Sequence, residues 1–154
     1  MGREVVRAIC RAEDMELVGA VDVVMAGQDA GTAAGIGEVG IAICTDLAEV
    51  LDRTAPDVMV DFTVAKAAEA NIKMAISRKV RFVVGTTGMS ASTMESIMNE
   101  AAQAGVGGAV VPNFALGAVL MMRFAREASR YFPDCEIVEL HHDGKVDLDR
   151  KSVV

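Results

Sequence analysis

The feature that most constrains this chain is its rhythm after Pro56. Short apolar runs alternate with segments of about 10–15 residues in helical spacing. Residues 57–62 (DVMVDF) read as a strand, and 64–78 sets Val64, Ala67, Ala68 and Ile72 on one helical face. Residues 80–84 form a second strand running directly into Gly85-Thr86-Thr87-Gly88. A helix follows, with Ser92 and Glu95 in capping-box spacing and Ile97 and Met98 as its apolar face. Residues 106–111 are the next strand, leading to Pro112-Asn113-Phe114 and a methionine-rich helix ending near Tyr131. Leu116, Leu120, Met121 and Met122 of that helix are expected to pack inward, since methionine fills irregular gaps. A last strand, 135–140, feeds His141-His142-Asp143-Gly144-Lys145. Strands alternating with helices in this way imply an α/β fold, a doubly wound parallel sheet with helices on both faces.

The first part is less regular. Residues 2–11 space Val5, Val6 and Ile9 as a helix, and 16–22 (ELVGAVD) read as a buried strand closed by Asp22. Residues 25–40 are rich in glycine and alanine and read as a flexible loop. A short strand is expected at 41–43, then a helix through Leu47, Val50 and Leu51 with Thr45 as its N-cap. A doubly wound sheet begins with a strand and a glycine turn before its first helix. This chain opens at the helix, so the expectation is a sheet without its first, central strand. Neighbouring strands would be left unpaired and a cavity opened beneath the helices, and the chain alone is expected to be poorly stable.

Composition removes several function classes. The 154 residues carry 15 basic and 22 acidic side chains, a formal charge of -7, opposite in sign to a protein built to grip nucleic-acid backbone. Aromatics are only 4% and tryptophan is absent, which disfavours base-stacking platforms. No apolar run reaches the ~18–20 residues of a bilayer span, and the N-terminus does not read as a signal peptide. Cys10, Cys44 and Cys135 are odd in number and widely spaced, so buried, reduced thiols of a cytoplasmic protein are expected rather than a disulfide framework or a zinc site.

Gly35-Ile36-Gly37-Glu38-Val39-Gly40 matches the dinucleotide fingerprint letter for letter. The fingerprint requires a strand before it and a helix after it, and a strand-like IAIC follows here, so it reads as a loop. Gly85-Thr86-Thr87-Gly88 ends a strand at the carboxyl edge of the sheet, where open α/β folds bind ligands; it is either an ordinary strand-to-helix turn or a ligand contact. Asn113 similarly either caps the next helix or bonds a ligand. Asp22 sits where a carboxylate receives a ribose diol, and equally where one caps a turn. Asp61 reads as structural. His141 and His142 are the only histidines, placed beside Lys145. An imidazole exchanges protons near neutrality, and a lysine holds a carboxylate or acts as an acid. Adjacent histidines diverge from a strand and no third ligand is evident, which argues against a metal site.

Taken in order, MGREVVRAI, LVGAVD, GQDAG, PDVMVDFT, VVGTTG, VPNFALG and EIVELHHDGKVD resemble the 4-hydroxy-tetrahydrodipicolinate (dihydrodipicolinate) reductase family over residues 1 to about 147. The resemblance implies a Rossmann-like domain over 1–134 and the start of a substrate-binding catalytic domain over 135–154. It implies an NADH- or NADPH-dependent cytoplasmic oxidoreductase of lysine and diaminopimelate biosynthesis, acting on a small dicarboxylate and homotetrameric at full length, with no nucleic-acid or membrane partner. By motif match His141 and Lys145 correspond to the proton-transfer pair and His142 to a substrate contact. Met1, Asp22, Gly85, Thr86, Thr87, Val111, Pro112, Asn113 and Phe114 correspond to cofactor contacts. Val23 stands where an arginine often holds a 2′-phosphate, which favours NADH.

Three features depart from the family pattern. The first strand and most of the GxxGxMG turn are absent, Leu148–Val154 replaces the APSGT continuation, and the second, substrate-binding and tetramerisation domain is expected to be essentially missing. The chain therefore reads as a piece of such a reductase, expected to be inactive alone. The alternatives are a residual nucleotide-binding module or a non-catalytic interaction fragment.

Overall fold

The computed structural model describes residues 1–132 together with Asp134 and Glu136. The chain falls into two compact units, Met1–Val111 and Pro112–Val154.

In the first unit the elements run α1 (Gly2–Arg11), β1 (Ala20–Val21), α2 (Ala30–Ala34), β2 (Ile43–Cys44), α3 (Leu47–Thr54), β3 (Val58–Asp61), α4 (Ala65–Ser77), β4 (Arg81–Val84), α5 (Ala91–Ala104) and β5 (Gly108–Val110). Every ladder is parallel. β1 pairs with β2, and β3, β4 and β5 form a second sheet in that order. This is the doubly wound α/β pattern read from the sequence, divided into two half-sheets.

Alternation explains β3, where Met59 and Asp61 are buried while Val58 and Val60 are exposed. The core gathers around the second half-sheet: Phe82 and Val84 of β4, Ile72 of α4 and Ile97 of α5 are almost completely enclosed. Gly108 is required there by close approach. A Cβ at that position would lie 2.2 Å from Cζ of the Phe82 ring.

Among the described residues β1 has no strand neighbour except β2, and β3 none except β4. A cavity of about 390 Å³ lies between them, bordered by Val5 and Val6 of α1, Ala20 and Val21 of β1, and Val58 and Val60 of β3. The opening expected from the sequence is therefore present, and the apolar face of α1 looks into it. The two halves are tied by helices instead of a ladder. Arg78 at the C-cap of α4 forks onto Asp52 of α3, with Nε–Oδ1 at 2.6 Å and Nη2–Oδ2 at 2.9 Å.

Several expectations need correction. The strand expected over 16–22 pairs only at Ala20–Val21, because β2 offers just two partnering residues. Residues 25–40 are not wholly loop, since Asp29 caps α2 and Gly35 ends it in the left-handed region at φ 76. α3 is capped by Asp46, not Thr45, and α5 by Ser90, not Ser92. Met98 is exposed while Ile97 is buried. Cys10 is exposed and Cys44 half-buried, both as free thiols, so the expected burial fails at both; Cys135 lies outside the described residues.

The second unit contains α6 (Leu116–Ala128), and no residue of this helix is buried. Leu116, Leu120, Met121 and Met122 are exposed, contrary to the inward packing expected of them. The unit runs on to Val154, and most of it past Phe132 lies outside the described residues, so no packed core is described around the helix. The strand expected at 135–140 falls in that stretch.

Candidate functional site

α1 begins at Gly2 beside the end of β1. The first two intrahelical bonds, from Glu4 N and Val5 N, both go to Met1 O, at 2.8 and 3.2 Å. The N–H groups of Gly2 and Arg3 keep no acceptor among the described residues, as a helix start leaves them. They border a recess of about 430 Å³ lined by Met1, Gly2, Arg3, Glu4, Asp22, Val24 and Met25.

Asp22 follows β1 and turns the chain. Its Oδ1 accepts from Val24 N at 2.6 Å and Met25 N at 3.1 Å, while Oδ2 has no partner among the described residues. Of the two readings left open by the sequence, the turn is the one seen: Oδ1 holds it, and Oδ2 is unengaged among the described residues. The recess therefore sets an uncapped helix start and the Arg3 guanidinium, which also reaches Met25 Sδ at 3.5 Å, beside the carboxylates of Glu4 and Asp22.

A second cluster lies at the carboxyl ends of β3, β4 and β5. Gly85 N donates to Asp61 O at 2.8 Å, and Val111 N donates to Val84 O at 2.8 Å, which aligns the three strand ends. Phe62 lies against Gly85 so closely that a Cβ there would meet ring Cε1 at 2.1 Å. Thr86 is 6% exposed; its hydroxyl donates to Thr63 O at 3.0 Å and lies 3.5 Å from Asp61 Oδ1. That side chain is committed internally, which leaves the exposed Thr87 and the loop backbone to face outward. Asp61 Oδ1 also accepts from Thr63 N and Thr63 Oγ1, each at 2.7 Å, and Oδ2 accepts from Asn71 Nδ2 at 2.7 Å.

The structure thus places Met1 with Asp22 in one recess, and Gly85, Thr86 and Thr87 with Val111 at one sheet edge. Pro112, Asn113 and Phe114 belong to the second unit, where Asn113 Oδ1 accepts from Ala115 N at 2.8 Å just before α6. His141, His142 and Lys145 lie outside the described residues. The rejected Gly35–Gly40 string is indeed loop: Gly35 closes α2, Gly37 and Gly40 have φ of 89 and 77, and β2 follows.

The sequence reading missed Asp29. Its carboxylate accepts from Thr32 N at 2.9 Å, Val39 N at 3.1 Å and Ile41 N at 3.1 Å, fixing the loop that leads to β2. The Thr32 bond first, and further backbone N–H groups after it, hold this carboxyl below its ordinary pKa of 3.8. An aspartate immediately before the run AGTAA was the signal.

The fold is an open, doubly wound α/β domain of the dinucleotide-binding type, with both clusters at the carboxyl ends of its strands. The chain belongs to the dihydrodipicolinate reductase family, whose N-terminal model, "Dihydrodipicolinate reductase, N-terminus", matches residues 1–114. It is 48% identical over 147 residues to a 4-hydroxy-tetrahydrodipicolinate reductase of Moorella thermoacetica, covering 96% of this chain and 55% of that protein. Against the protein of the same name from Syntrophomonas wolfei it is 45% identical over 154 residues, covering 100% of this chain and 58% of the relative. The chain thus spans little more than half the length of these relatives.

The solved dipicolinate-bound dihydrodipicolinate reductase from Paenisporosarcina sp. TG-14 matches with a TM-score of 0.74 and 34% identity, over 96% of this chain and 56% of that one. An amine dehydrogenase from Mycobacterium smegmatis shares the fold alone, with a TM-score of 0.61 and 22% identity over 71% of this chain and 36% of that chain.

Proposed function

We propose that this chain is the nicotinamide-dinucleotide-binding part of a reductase. The reaction takes 4-hydroxy-tetrahydrodipicolinate, through its dehydrated cyclic form, to tetrahydrodipicolinate in lysine and diaminopimelate biosynthesis. The observation that carries the reading is the recess where the uncapped start of α1 meets Asp22 at the end of β1.

The donor set of this recess fits the adenosine half of such a cofactor. The free N–H groups of Gly2 and Arg3 and the Arg3 guanidinium suit a diphosphate. The unpartnered Asp22 Oδ2 suits a pair of ribose hydroxyls. No side chain intrudes at Gly2, where even an added Cβ would meet nothing within 4 Å. By family correspondence alone, Gly85, Thr86, Thr87 and Val111 of the first unit, and Pro112, Asn113 and Phe114 of the second, are assigned to the nicotinamide half. The bound nicotinamide supplies the hydride. This chain's own residues then have two tasks, to hold the dicarboxylate and to deliver a proton to the electron-rich centre that hydride addition leaves on the substrate. By family correspondence His141 and Lys145 carry the proton and His142 contacts the substrate.

Thermal unfolding with and without NADH and NADPH tests the cofactor reading. Ligand at about 100 times its Kd stabilises the folded state by ~2.7 kcal/mol. The expected result is a cooperative transition that either nucleotide raises. Absence of any shift at millimolar nucleotide would remove the reading.

A further inference from the structure

Asp61 closes β3 in the interior, 3% exposed, and a carboxylate there must have its lone pairs occupied. Its donors come from two places, and a third segment packs against it. Thr63 contributes both its N–H and its hydroxyl from the β3–α4 loop. Asn71 reaches back from the second turn of α4, and Thr86 approaches from the loop after β4. The single hydroxyl proton of Thr86 goes to Thr63 O, so the two loops are bonded to each other, and Thr86 Oγ1 stands 3.5 Å from the carboxylate. The Phe62 ring on Gly85 closes the other side of the same junction.

We propose that Asp61 is a positioning residue. It fixes the 62–64 loop and the 85–88 loop as one rigid piece, so that the outward backbone of 85–88 is held ready for the nicotinamide end of a dinucleotide. The proposal rests on the cofactor reading above and deepens it. A chain with these loops slack would still bind the adenosine end through the Asp22 recess, and would lose affinity only for the remainder of the molecule. That split separates positioning from general stability, which would weaken both ends alike.

The test uses the 154-residue chain and two probes, NADH and ADP-ribose, titrated against the parent, Asp61→Ala and Asp61→Asn. Asparagine keeps Oδ1 for Thr63, and Asn71 can turn its amide to face the new donor. Asp61→Ala is expected to weaken NADH binding about tenfold, equivalent to ~1.4 kcal/mol, and to leave ADP-ribose within about twofold. Asp61→Asn is expected to restore most of the loss. Equal weakening of both probes, or no change in either, overturns the proposal.

Amide hydrogen exchange at Gly85–Gly88 provides a readout independent of ligand. If the parent binds neither probe, the cofactor reading fails, and the clamp stands or falls on faster exchange in Asp61→Ala with recovery in Asp61→Asn. Should Asp61→Ala not fold, Thr86→Val removes only the hydroxyl that joins the loops. Unchanged exchange at 85–88 in that variant refutes the clamp.

Discussion

Gly108 is a position where the packing of the core makes a sharp demand. Replacing it with alanine adds one methyl group, and the Phe82 ring stands 2.2–2.4 Å from the place that methyl would occupy. The ring cannot swing into solvent, because Phe82 is 1% exposed and lies within the cluster that includes Ile72 and Ile97. Either the ring leaves its rotamer or β5 moves off β4, whose register pairs Phe82 with Gly108. Overpacking of this kind costs ~1–3 kcal/mol. For a chain of this size that lowers the thermal midpoint by about 2–4 °C per kcal/mol.

The assay is a double-mutant cycle read by thermal or urea unfolding: parent, Gly108→Ala, Phe82→Leu and the double variant. Phe82→Leu removes the colliding ring edge, so Gly108→Ala should cost at least ~1 kcal/mol less in that background than in the parent. Additive effects would refute the collision argument. So would a Gly108→Ala variant as stable as the parent.

Asp22→Ala should weaken NADH and ADP-ribose binding together, by roughly a hundredfold or more if two hydrogen bonds to a charged acceptor are lost; titration of both probes checks this. The Asp29 carboxyl has its folded pKa depressed below 3.8. The unfolded chain therefore binds the proton more readily, and the stabilisation is present above about 3.8 and lost as pH falls through the lower, folded value. Asp29→Asn should flatten the fall in thermal midpoint as pH drops below 3.8. Asp52, depressed by its hydrogen bond from Arg78, works in the same direction, so adding Asp52→Asn should flatten the slope further.

The sequence disclosed elements where side-chain period and burial coincide. α4 was legible because Ala68 and Ile72 fall on one face and both are fully buried. β3 was legible because its buried and exposed residues strictly alternate. Helix α2 was not, since its five residues AGTAA carry no hydrophobic period and its start depends on Asp29. The caps of α3 and α5 were misplaced by one and two residues for a shared reason. Thr45-Asp46 and Ser90-Ala91-Ser92 each offer two competent side chains, and only the backbone path chooses between them.

In the candidate site, Asp22 and the Gly85–Gly88 turn could be read because each ends a strand. The Asp61 junction could not. Its partners lie 10 and 25 residues away, at Asn71 and Thr86, and only the fold brings them together.

The division of the sheet has a consequence for how stability is distributed. Most of the buried apolar side chains belong to the β3–β4–β5 half, and the half holding β1 and β2 is joined to it through helix contacts and the Arg78–Asp52 fork. Such a molecule opens in stages, with the β1–β2 half as a foldon of low opening free energy and the other half exchanging its amides only on global unfolding. The recess beside Asp22 sits on the loosely held half. A ligand bound there completes the folding of its own site, so its first effect is to slow the opening of β1 and α1 while leaving the exchange of β4 unaltered.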